Sequence, residues 1–215
     1  MKLIIAGAGG LGREVWSYAV DAIAAGRLDA EIVGFLDDTD PDLTAFSGLD
    51  VPVLGSIDSY APGEDEAVVI GIGTPAHRAS VAARLAARGA RFVSVVHPGA
   101  WVPPTVRMAP GCVVAPFATV GPWVDLGAHV LVNTHAVLGH DCMVGANSEL
   151  APHTACNGWV RLGERVFVGS GAVVTARVQV GDDAKVAAGA VVYSTVPAGA
   201  TALGNPARFM GNPGR

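Results

Sequence analysis

Residues 114–150 read VAPFATVGPWVDLGAHVLVNTHAVLGHDCMVGANSEL, and every sixth residue in this stretch, from Val114 to Leu150, is apolar. The same register extends outward to Val102 and to Val192 without a slip. A period of six fits neither the 3.6 residues of an α-helix nor the simple alternation of a strand. Because so short a repeat can bury its apolar side chain only against neighbouring copies, the spacing predicts a parallel β-helix.

The residue that follows each apolar position is most often small. Gly121, Gly139 and Asn157 are examples. Because glycine and asparagine accept a positive φ at little cost, we expect a turn with positive φ at this point of every repeat.

The composition of the whole chain narrows the class of protein. The 215 residues are 51% hydrophobic, yet they contain no run of about 18 apolar residues, so we expect no membrane span. The net charge of −5 comes without a basic cluster, which argues against a nucleic-acid partner. The opening strand leads directly into glycines and Arg13, which indicates no signal peptide. The three cysteines fall at inward-facing positions of the repeat: Cys112, Cys142 and Cys156. We therefore expect their thiols to be buried, in a reducing cytoplasm.

The first part of the chain alternates predicted strands and helices. Strands are expected at 2–6, 31–36, 66–72 and 92–96, with a short edge strand at 51–54, and helices at about 13–25 and 74–88. This alternation predicts a parallel α/β sheet of about half the size of a full dinucleotide fold. We therefore divide the chain into a half-Rossmann-like domain over residues 1–93 and a β-helix domain with a C-terminal tail over residues 94–215.

A glycine-rich loop, Gly7-Ala-Gly-Gly-Leu-Gly12, joins the first strand to the first helix. Glycines let the backbone approach a phosphate, and a helix N-terminus offers free N–H groups and positive potential. Asp37 and Asp38 end the second strand, where an acidic side chain suits a ribose hydroxyl. The loop therefore favours a mononucleotide or nucleotide-sugar phosphate. A tight turn without a ligand is the other interpretation, and NAD would need the second half-fold.

Among six histidines, His140 has the surroundings that suit catalysis. It lies outside the predicted core and directly before Asp141, whose carboxylate can hold an imidazole in one tautomer and raise its basicity. Adjacent residues of a strand point apart, so their contact needs a bend or a neighbouring subunit. Trp123 and Trp159 stand 18 residues to either side of Asp141 and should flank it if three repeats form one coil.

The other histidines favour structural roles. His135 and His153 are 18 residues apart and should stack on an outer surface. We expect His129 alone on an outer face, His77 on the surface of a helix, and His97 at the junction of the two domains.

Several motifs, in this order along nearly the whole chain, resemble one known family. They are the glycine loop, Phe35-Leu-Asp-Asp38, Ile70-Gly-Ile-Gly73, His97-Pro98, Asn133-Thr134, His140-Asp-Cys142 and Gly204-Asn-Pro-Ala-Arg208. The chain is similar in them to the nucleotide-aminosugar N-acetyltransferases of the bacillosamine and perosamine type and to their relatives, the sialic-acid O-acetyltransferases. The resemblance implies a left-handed β-helix with three hexads per coil. It also implies a homotrimer that uses acetyl-CoA at sites between adjacent subunits.

The resemblance further implies roles for individual residues. His140 would be the general base, Asp141 would raise its basicity, and Asn133 would lie in the active site. The residues that hold the nucleotide of a nucleotide-linked amino sugar would be Gly9, Gly10, Leu11, Asp37, Asp38 and Gly73. Contacts with acetyl-CoA would fall at Glu149, Ser170, Ala188, Lys185 and Arg208, of which the two cations suit its phosphates.

Three positions depart from the family pattern, and they concern the acceptor pocket. Gly139 stands where an acidic residue often precedes the histidine, Glu149 where a second histidine often lies near the thioester, and His135 where glycine is usual. The implied mechanism is direct transfer, in which His140 takes a proton from the sugar amine as it attacks, and backbone N–H groups stabilise the oxyanion. Inward-pointing cysteines argue against an acyl-enzyme.

Three other functions stay open from the sequence. The first is O-acetylation of sialic acid or another sugar. The second is a zinc-dependent hydratase of the β-helix carbonic-anhydrase type, in which His135 and His140 would need a third ligand that neither His129 nor His97 clearly supplies. The third is a non-catalytic protein that binds a nucleotide sugar. The acetyltransferase itself would need no metal.

Overall fold

The N-terminal part of the chain folds as the predicted parallel sheet with two helices. The computed structural model describes residues 1–39 and 41–210. Its first elements are β1 (Lys2–Ala6), α1 (Gly10–Ala24), β2 (Glu31–Leu36), β3 (Val53–Gly55), a 3₁₀ turn (Ile57–Ser59), β4 (Glu66–Ile70) and α2 (Pro75–Ala87). The strands are all parallel in the order β3-β2-β1-β4, which is the arrangement of half a Rossmann fold.

Both faces of this sheet are buried, which explains the uninterrupted apolar run of β1. Leu3 and Ile5 pack with Val15 of α1 on one side, whereas Ile4 packs with Leu85 of α2 on the other. A parallel strand covered on both faces needs apolar residues at successive positions rather than at alternate ones.

The rest of the chain winds into a three-sided parallel β-helix. Most paired strands are 18 residues apart, so three hexads make one coil. The first face consists of Val95–Val96, Val113–Val114, Leu131–Val132, Glu149–Leu150, Phe167–Val168, Lys185–Val186, Thr201–Leu203 and the antiparallel Arg208–Met210. The second face consists of Thr119–Val120, Val137–Leu138, Ala155–Cys156, Val173–Val174 and Val191–Val192, and the third of Arg107–Met108, Asp125–Leu126, Met143–Val144, Arg161–Leu162 and Gln179–Val180.

The six-residue series forms the core of the β-helix, as the sequence predicts. Val120, Val132 and Leu138 are fully buried and belong to one continuous apolar cluster. The three cysteines are also buried there as free thiols. Each coil thus buries its inward side chains against the coils on either side.

The predicted position of the positive-φ turn within each six-residue repeat was wrong. Positive φ falls three residues after each apolar core position, and none of the non-glycine residues there is β-branched, since branching would make that conformation costly. They are Phe117, Trp123, His129, His135, Asp141, Asn147, His153, Trp159, Arg165, Arg177 and Asp183. Gly121 serves a different need, because a Cβ there would lie 2.8 Å from backbone atoms of Gly139 and His140 in the next coil.

Other predicted boundaries also shift. The strand predicted over 92–96 is divided, because Phe92 forms only a bridge with Val68, whereas Val95–Val96 pair with Val113–Val114 in the β-helix. In addition, β4 ends two residues earlier and α1 begins three residues earlier than expected. The division at 93/94 stays a prediction, and residues 211–215 of the second predicted domain lie outside the described residues.

The N-terminal sheet is held against the β-helix by apolar and polar contacts. Val113 and Leu131 of the first face pack in one cluster with α1 and β1. On the other side, the buried Arg78 of α2 donates from Nε to the His129 carbonyl at 3.0 Å and from Nη2 to the Asn147 carbonyl at 2.8 Å. The side of the β-helix that carries the first face is therefore the side that faces the glycine loop.

This docking corrects the prediction for His129. Its side chain is buried, with its ring edge-on to Phe92 at a centroid distance of 4.5 Å, rather than alone on an outer face. The predicted stack of His135 on His153 is confirmed, with ring centroids 4.9 Å apart. Across residues 1–39 and 41–210, no helix has the length and apolar character that a membrane crossing requires.

Candidate active site

A cavity of about 330 Å³ lies at the carboxyl ends of β1, β2 and β4. The glycine loop and the ends of β2 and β4 bring together all six residues predicted to hold a nucleotide. These are Gly9, Gly10, Leu11, Asp37, Asp38 and Gly73. This edge of an open parallel sheet, beside a helix N-terminus, is where such folds bind phosphorylated ligands.

Two carboxylates line this cavity, which we call the nucleotide cavity after the prediction made for its residues, and both are fixed by hydrogen bonds. The Ala8 N–H donates to Asp37 Oδ2 at 2.8 Å, and the Thr39 N–H donates to Asp37 Oδ1 at 2.8 Å. Burial works to raise the pKa of Asp37, but these hydrogen bonds outweigh it and the pKa is lowered. Arg84 donates to Asp38 at 2.8 Å and lowers its pKa. Both groups are therefore anionic acceptors suited to hydroxyl or N–H donors.

Sequence reasoning missed His77 as part of this cavity. It was predicted as a surface residue of the helix, and it is exposed, but it also lines the nucleotide cavity across from Asp37. One feature of the sequence could have indicated this. His77 lies in the first turn of α2, which begins directly after the loop that follows β4.

A substitution at Gly9 tests whether this cavity binds a nucleotide sugar. A Cβ on Gly9 would meet no atom within 4 Å, so Gly9→Val should fold and project its side chain into open space. Gly12 is the contrasting position, because its Cβ would lie 1.9 Å from the Gly7 carbonyl oxygen. We expect Gly9→Val to weaken binding of a nucleotide sugar by about tenfold or more, since a loss of 1.4 kcal/mol has that effect.

Titration calorimetry of folded Gly9→Val measures this loss. Unchanged nucleotide-sugar affinity, or a weakened affinity for acetyl-CoA alone, would show that the glycine loop serves another ligand.

His140 and Asp141 contact each other within one chain, on the turn between the second and third faces. His140 Nδ1 lies 2.7 Å from Asp141 Oδ2, and the positive φ of Asp141, 59°, supplies the bend that brings the two side chains together. The rings of Trp159 and His140 pack edge-to-face with a centroid distance of 4.3 Å. Because a Cβ on residue 158 would lie 2.7 Å from His140 Nε2, the ring fits only beside Gly158.

These contacts leave the imidazole oriented and accessible. The side chain of His140 is 46% exposed in the single chain. A carboxylate on Nδ1 fixes the tautomer with the proton on that nitrogen, so Nε2 can act as a proton acceptor. His140 therefore has the geometry of a general base, and residues outside this turn must hold its substrate.

The structure places the nucleotide cavity and His140 on opposite sides of one chain. The cavity faces the first face of the β-helix, whereas His140 lies at the corner between the second and third faces. In a three-sided coil that corner is opposite the first face. Asn133 lies at yet another corner, between the first and second faces, where its Oδ1 accepts hydrogen bonds from Thr134 N at 2.7 Å and Oγ1 at 3.0 Å.

The residues predicted to contact acetyl-CoA fall into two groups. Glu149 and Lys185 line a cavity of about 430 Å³ together with Gly73, Thr74, Pro75 and Phe167. Ser170 and Ala188 are exposed at the Asn133 corner in later coils, and Arg208 is exposed in the final hairpin. Gly73 belongs to both cavities, so the nucleotide cavity opens beside Glu149.

The structure gives no support to the zinc-dependent alternative. His135 and His140 lie at different corners of the β-helix, and His135 is stacked between Phe117 and His153. Within residues 1–39 and 41–210, no three His, Cys, Asp or Glu side chains are grouped so as to hold a metal ion.

Comparison with family models gives two matches along the chain. The PglD N-terminal domain matches residues 2–85, and the bacterial transferase hexapeptide (six repeats) matches residues 160–194. Among curated protein sequences, nothing matches the chain.

Solved structures match over nearly the full length. The acetyltransferase domain of PglB from Neisseria gonorrhoeae, in complex with acetyl coenzyme A, is 33% identical over 97% of this chain and 98% of that chain, with a TM-score of 0.84. A histidine-to-asparagine mutant of perosamine N-acetyltransferase from Caulobacter crescentus, in complex with CoA and GDP-perosamine, is 29% identical over 99% of this chain and 98% of that chain, with a TM-score of 0.85. WeeI from Acinetobacter baumannii is 28% identical over 98% of this chain and 100% of that chain, with a TM-score of 0.85.

The sequence motifs, the order of the two folds and these matches agree with one another. The chain belongs to the family of sugar N-acetyltransferases that join a PglD-type N-terminal domain to a left-handed hexapeptide-repeat β-helix.

Proposed function

We propose that the protein transfers the acetyl group of acetyl-CoA to the amino group of a nucleotide-linked sugar, of the 4-amino-4,6-dideoxy type. The observation that carries the proposal is the 2.7 Å contact between His140 Nδ1 and Asp141 Oδ2 beside an accessible imidazole. It is supported by the nucleotide cavity and by relatives whose structures contain acetyl-CoA, or CoA with GDP-perosamine.

In the proposed reaction, His140 Nε2 removes a proton from the amine while the amine nitrogen attacks the thioester carbonyl. The new C–N bond forms, the C–S bond breaks, and the proton on His140 is available to the departing CoA thiolate. Asp141 stabilises the imidazolium that exists between these steps. Burial raises the pKa of the Cys142 thiol to about 11, so the neighbouring cysteine is a poor nucleophile and transfer is direct.

The ligands would occupy different parts of the molecule. Gly9, Gly10 and Leu11 would hold the diphosphate at the start of α1, with Asp37, Asp38 and Gly73 around the nucleoside. Ser170 and Ala188 would line the path of acetyl-CoA, whose phosphates would meet Lys185 and Arg208. Glu149 and Asn133 would lie where the two ligands approach each other.

A homotrimer would complete this site. A sugar held at the first face cannot reach His140 of its own chain, because His140 lies at the opposite corner. The second face also carries an outer row suited to a subunit interface, since its members are small or apolar and uncharged: Thr119, Val137, Ala155, Val173 and Val191. The third face carries Arg107, Asp125 and Arg161 in the equivalent row. Cyclic symmetry would then bring His140 of one subunit to the nucleotide cavity of the next.

Assay of a panel of acceptors tests the proposed reaction. UDP-, GDP- and dTDP-linked 4-amino-4,6-dideoxyhexoses are incubated with acetyl-CoA, and free thiol and acetylated product are followed. We expect thiol release that depends on one nucleotide amino sugar and matches the N-acetylated product in amount. Transfer only to hydroxyl groups of sugars would favour the O-acetyltransferase alternative, and binding without transfer would favour a non-catalytic protein.

A further inference from the structure

Glu149 is a buried carboxyl group that lies within ion-pair distance of Arg78 but accepts no hydrogen bond from it. Its side chain is 10% exposed and lies on the first face, where it opens into the 430 Å³ cavity beside Gly73. The nearest cationic atom, Arg78 Nη1, is 3.8 Å from Glu149 Oε2, which is too far for a hydrogen bond. Within the described part of the chain, no group donates a hydrogen bond to this carboxyl.

Arg78 does not satisfy Glu149, because its donors are directed elsewhere. Nη1 donates to the carbonyl oxygens of Ile72 and Gly73, each at 2.6 Å, while Nε and Nη2 bond to carbonyl oxygens of the β-helix. The guanidinium therefore fastens the Gly73 loop to the β-helix and donates to carbonyl oxygens rather than to Glu149, whose side chain lines the cavity. A buried carboxylate without a donor is costly, so a ligand that supplies one would be strongly favoured.

The neighbours of Glu149 define what such a ligand can be. Glu149, Phe167 and Lys185 follow one another in register on adjacent strands, so the Phe167 ring stands between the carboxylate and the Lys185 ammonium. Earlier positions in this row, Val113 and Leu131, are covered by the N-terminal sheet. Glu149 is therefore the first polar group beyond that cover, next to the Gly73 end of the nucleotide cavity.

We propose that Glu149 binds the amino group of the acceptor sugar and makes the site selective for an amine over a hydroxyl. This inference rests on the proposed function and identifies the group that the site recognises. A sugar attached to a nucleotide in the cavity would pass Gly73 and present its substituent to Glu149. A carboxylate there accepts an N–H from an amine or ammonium and gains a charge interaction that a hydroxyl cannot supply.

The electrostatic surroundings agree with this assignment. Burial raises the pKa of Glu149 to about 7, and the charge of Arg78 opposes the rise. The charged groups around Glu149 are Arg78 from α2 and, beyond Phe167 in the same cavity, Lys185. A cationic amine would favour the ionised form, so the affinity for an amino sugar should increase as the pH rises through about 7.

Binding measurements separate this proposal from catalysis. Matched pairs of UDP-, GDP- and dTDP-linked sugars are used, each pair consisting of a 4-amino-4,6-dideoxyhexose and the 6-deoxyhexose with a hydroxyl at C4. Calorimetry without acetyl-CoA gives the affinity of the wild type, of Glu149→Gln and of a control, Glu164→Gln, whose side chain is on an exposed turn of the same β-helix. The free nucleoside diphosphate and acetyl-CoA are titrated as well.

We expect the wild type to prefer the amino sugar by about ten- to a hundredfold, the range of a hydrogen bond to a charged group. Glu149→Gln should remove most of this preference, while the affinities for the nucleoside diphosphate and for acetyl-CoA stay within about twofold of wild type. Glu164→Gln should behave as wild type.

Three results would overturn the proposal. They are equal affinity of the wild type for the two sugars of every pair, an amine preference that survives Glu149→Gln, and a Glu149→Gln variant that weakens only acetyl-CoA. If Glu149→Gln does not fold, wild-type affinity for the amino sugar that stays constant between pH 6 and pH 8 overturns it. None of these binding results requires turnover, so the failure of acetyl transfer in the acceptor panel is a separate outcome.

Discussion

Replacing His140 by alanine is expected to lower kcat by about 10²–10⁴-fold, the range typical for loss of a general base. The Asp141 carboxylate sets the orientation of the His140 imidazole, because it lies 2.7 Å from Nδ1. Without this imidazole, the turn loses the nitrogen that we propose takes the proton from the attacking amine. Steady-state kinetics with saturating acetyl-CoA and acceptor measure the loss.

Two controls make this result interpretable. Affinity for acetyl-CoA, measured by calorimetry, should be unchanged in His140→Ala. Asp141→Asn should reduce kcat less severely, because the imidazole remains but loses the charge that stabilises its protonated form. A His140→Ala enzyme within threefold of wild-type kcat would show that the proton is removed by another group.

The β-helix could be predicted from the sequence because its pattern is set by local repetition. The inward-facing residue of every hexad must be apolar. Val120, Leu126 and Val132 therefore each indicate the same six-residue repeat. The glycine loop and Asp37 are also local features, because a parallel strand and the helix after it decide where both point. The place of this cavity was therefore predictable from the sequence, although His77 was missed as part of its lining.

Features that depend on how distant parts of the chain pack against each other were not predictable. His129 looks like an outer residue in the repeat, but it is buried because Phe92 and Arg78 cover that corner. The phase of the turns was missed because glycine is common at Gly121 for a second reason, the crossing of the next coil. Glu149 and Gly73 are far apart in the sequence, and only the folded chain places them in one cavity.

Mixed trimers are expected to be more active than either parent when the acceptor concentration is low. His140→Ala keeps the nucleotide cavity, whereas Gly9→Val keeps the imidazole, and the two features lie on opposite sides of each chain. If a site joins His140 of one subunit to the cavity of the next, any trimer with both kinds of chain contains one intact site. Activity per mixed trimer should then be about a third of wild type.

The most direct test of the shared site is the turnover of such trimers, isolated from co-expressed chains that carry two different affinity tags. Light scattering checks whether the isolated species has the mass of three 21.8 kDa chains, and acetyl transfer is measured per assembly. With acceptor well below the KM of the Gly9→Val parent, the account predicts about a third of the wild-type rate for the doubly tagged trimers, about a tenth or less for Gly9→Val and almost none for His140→Ala. Doubly tagged trimers no more active than the Gly9→Val parent, or a stable active monomer, would contradict it.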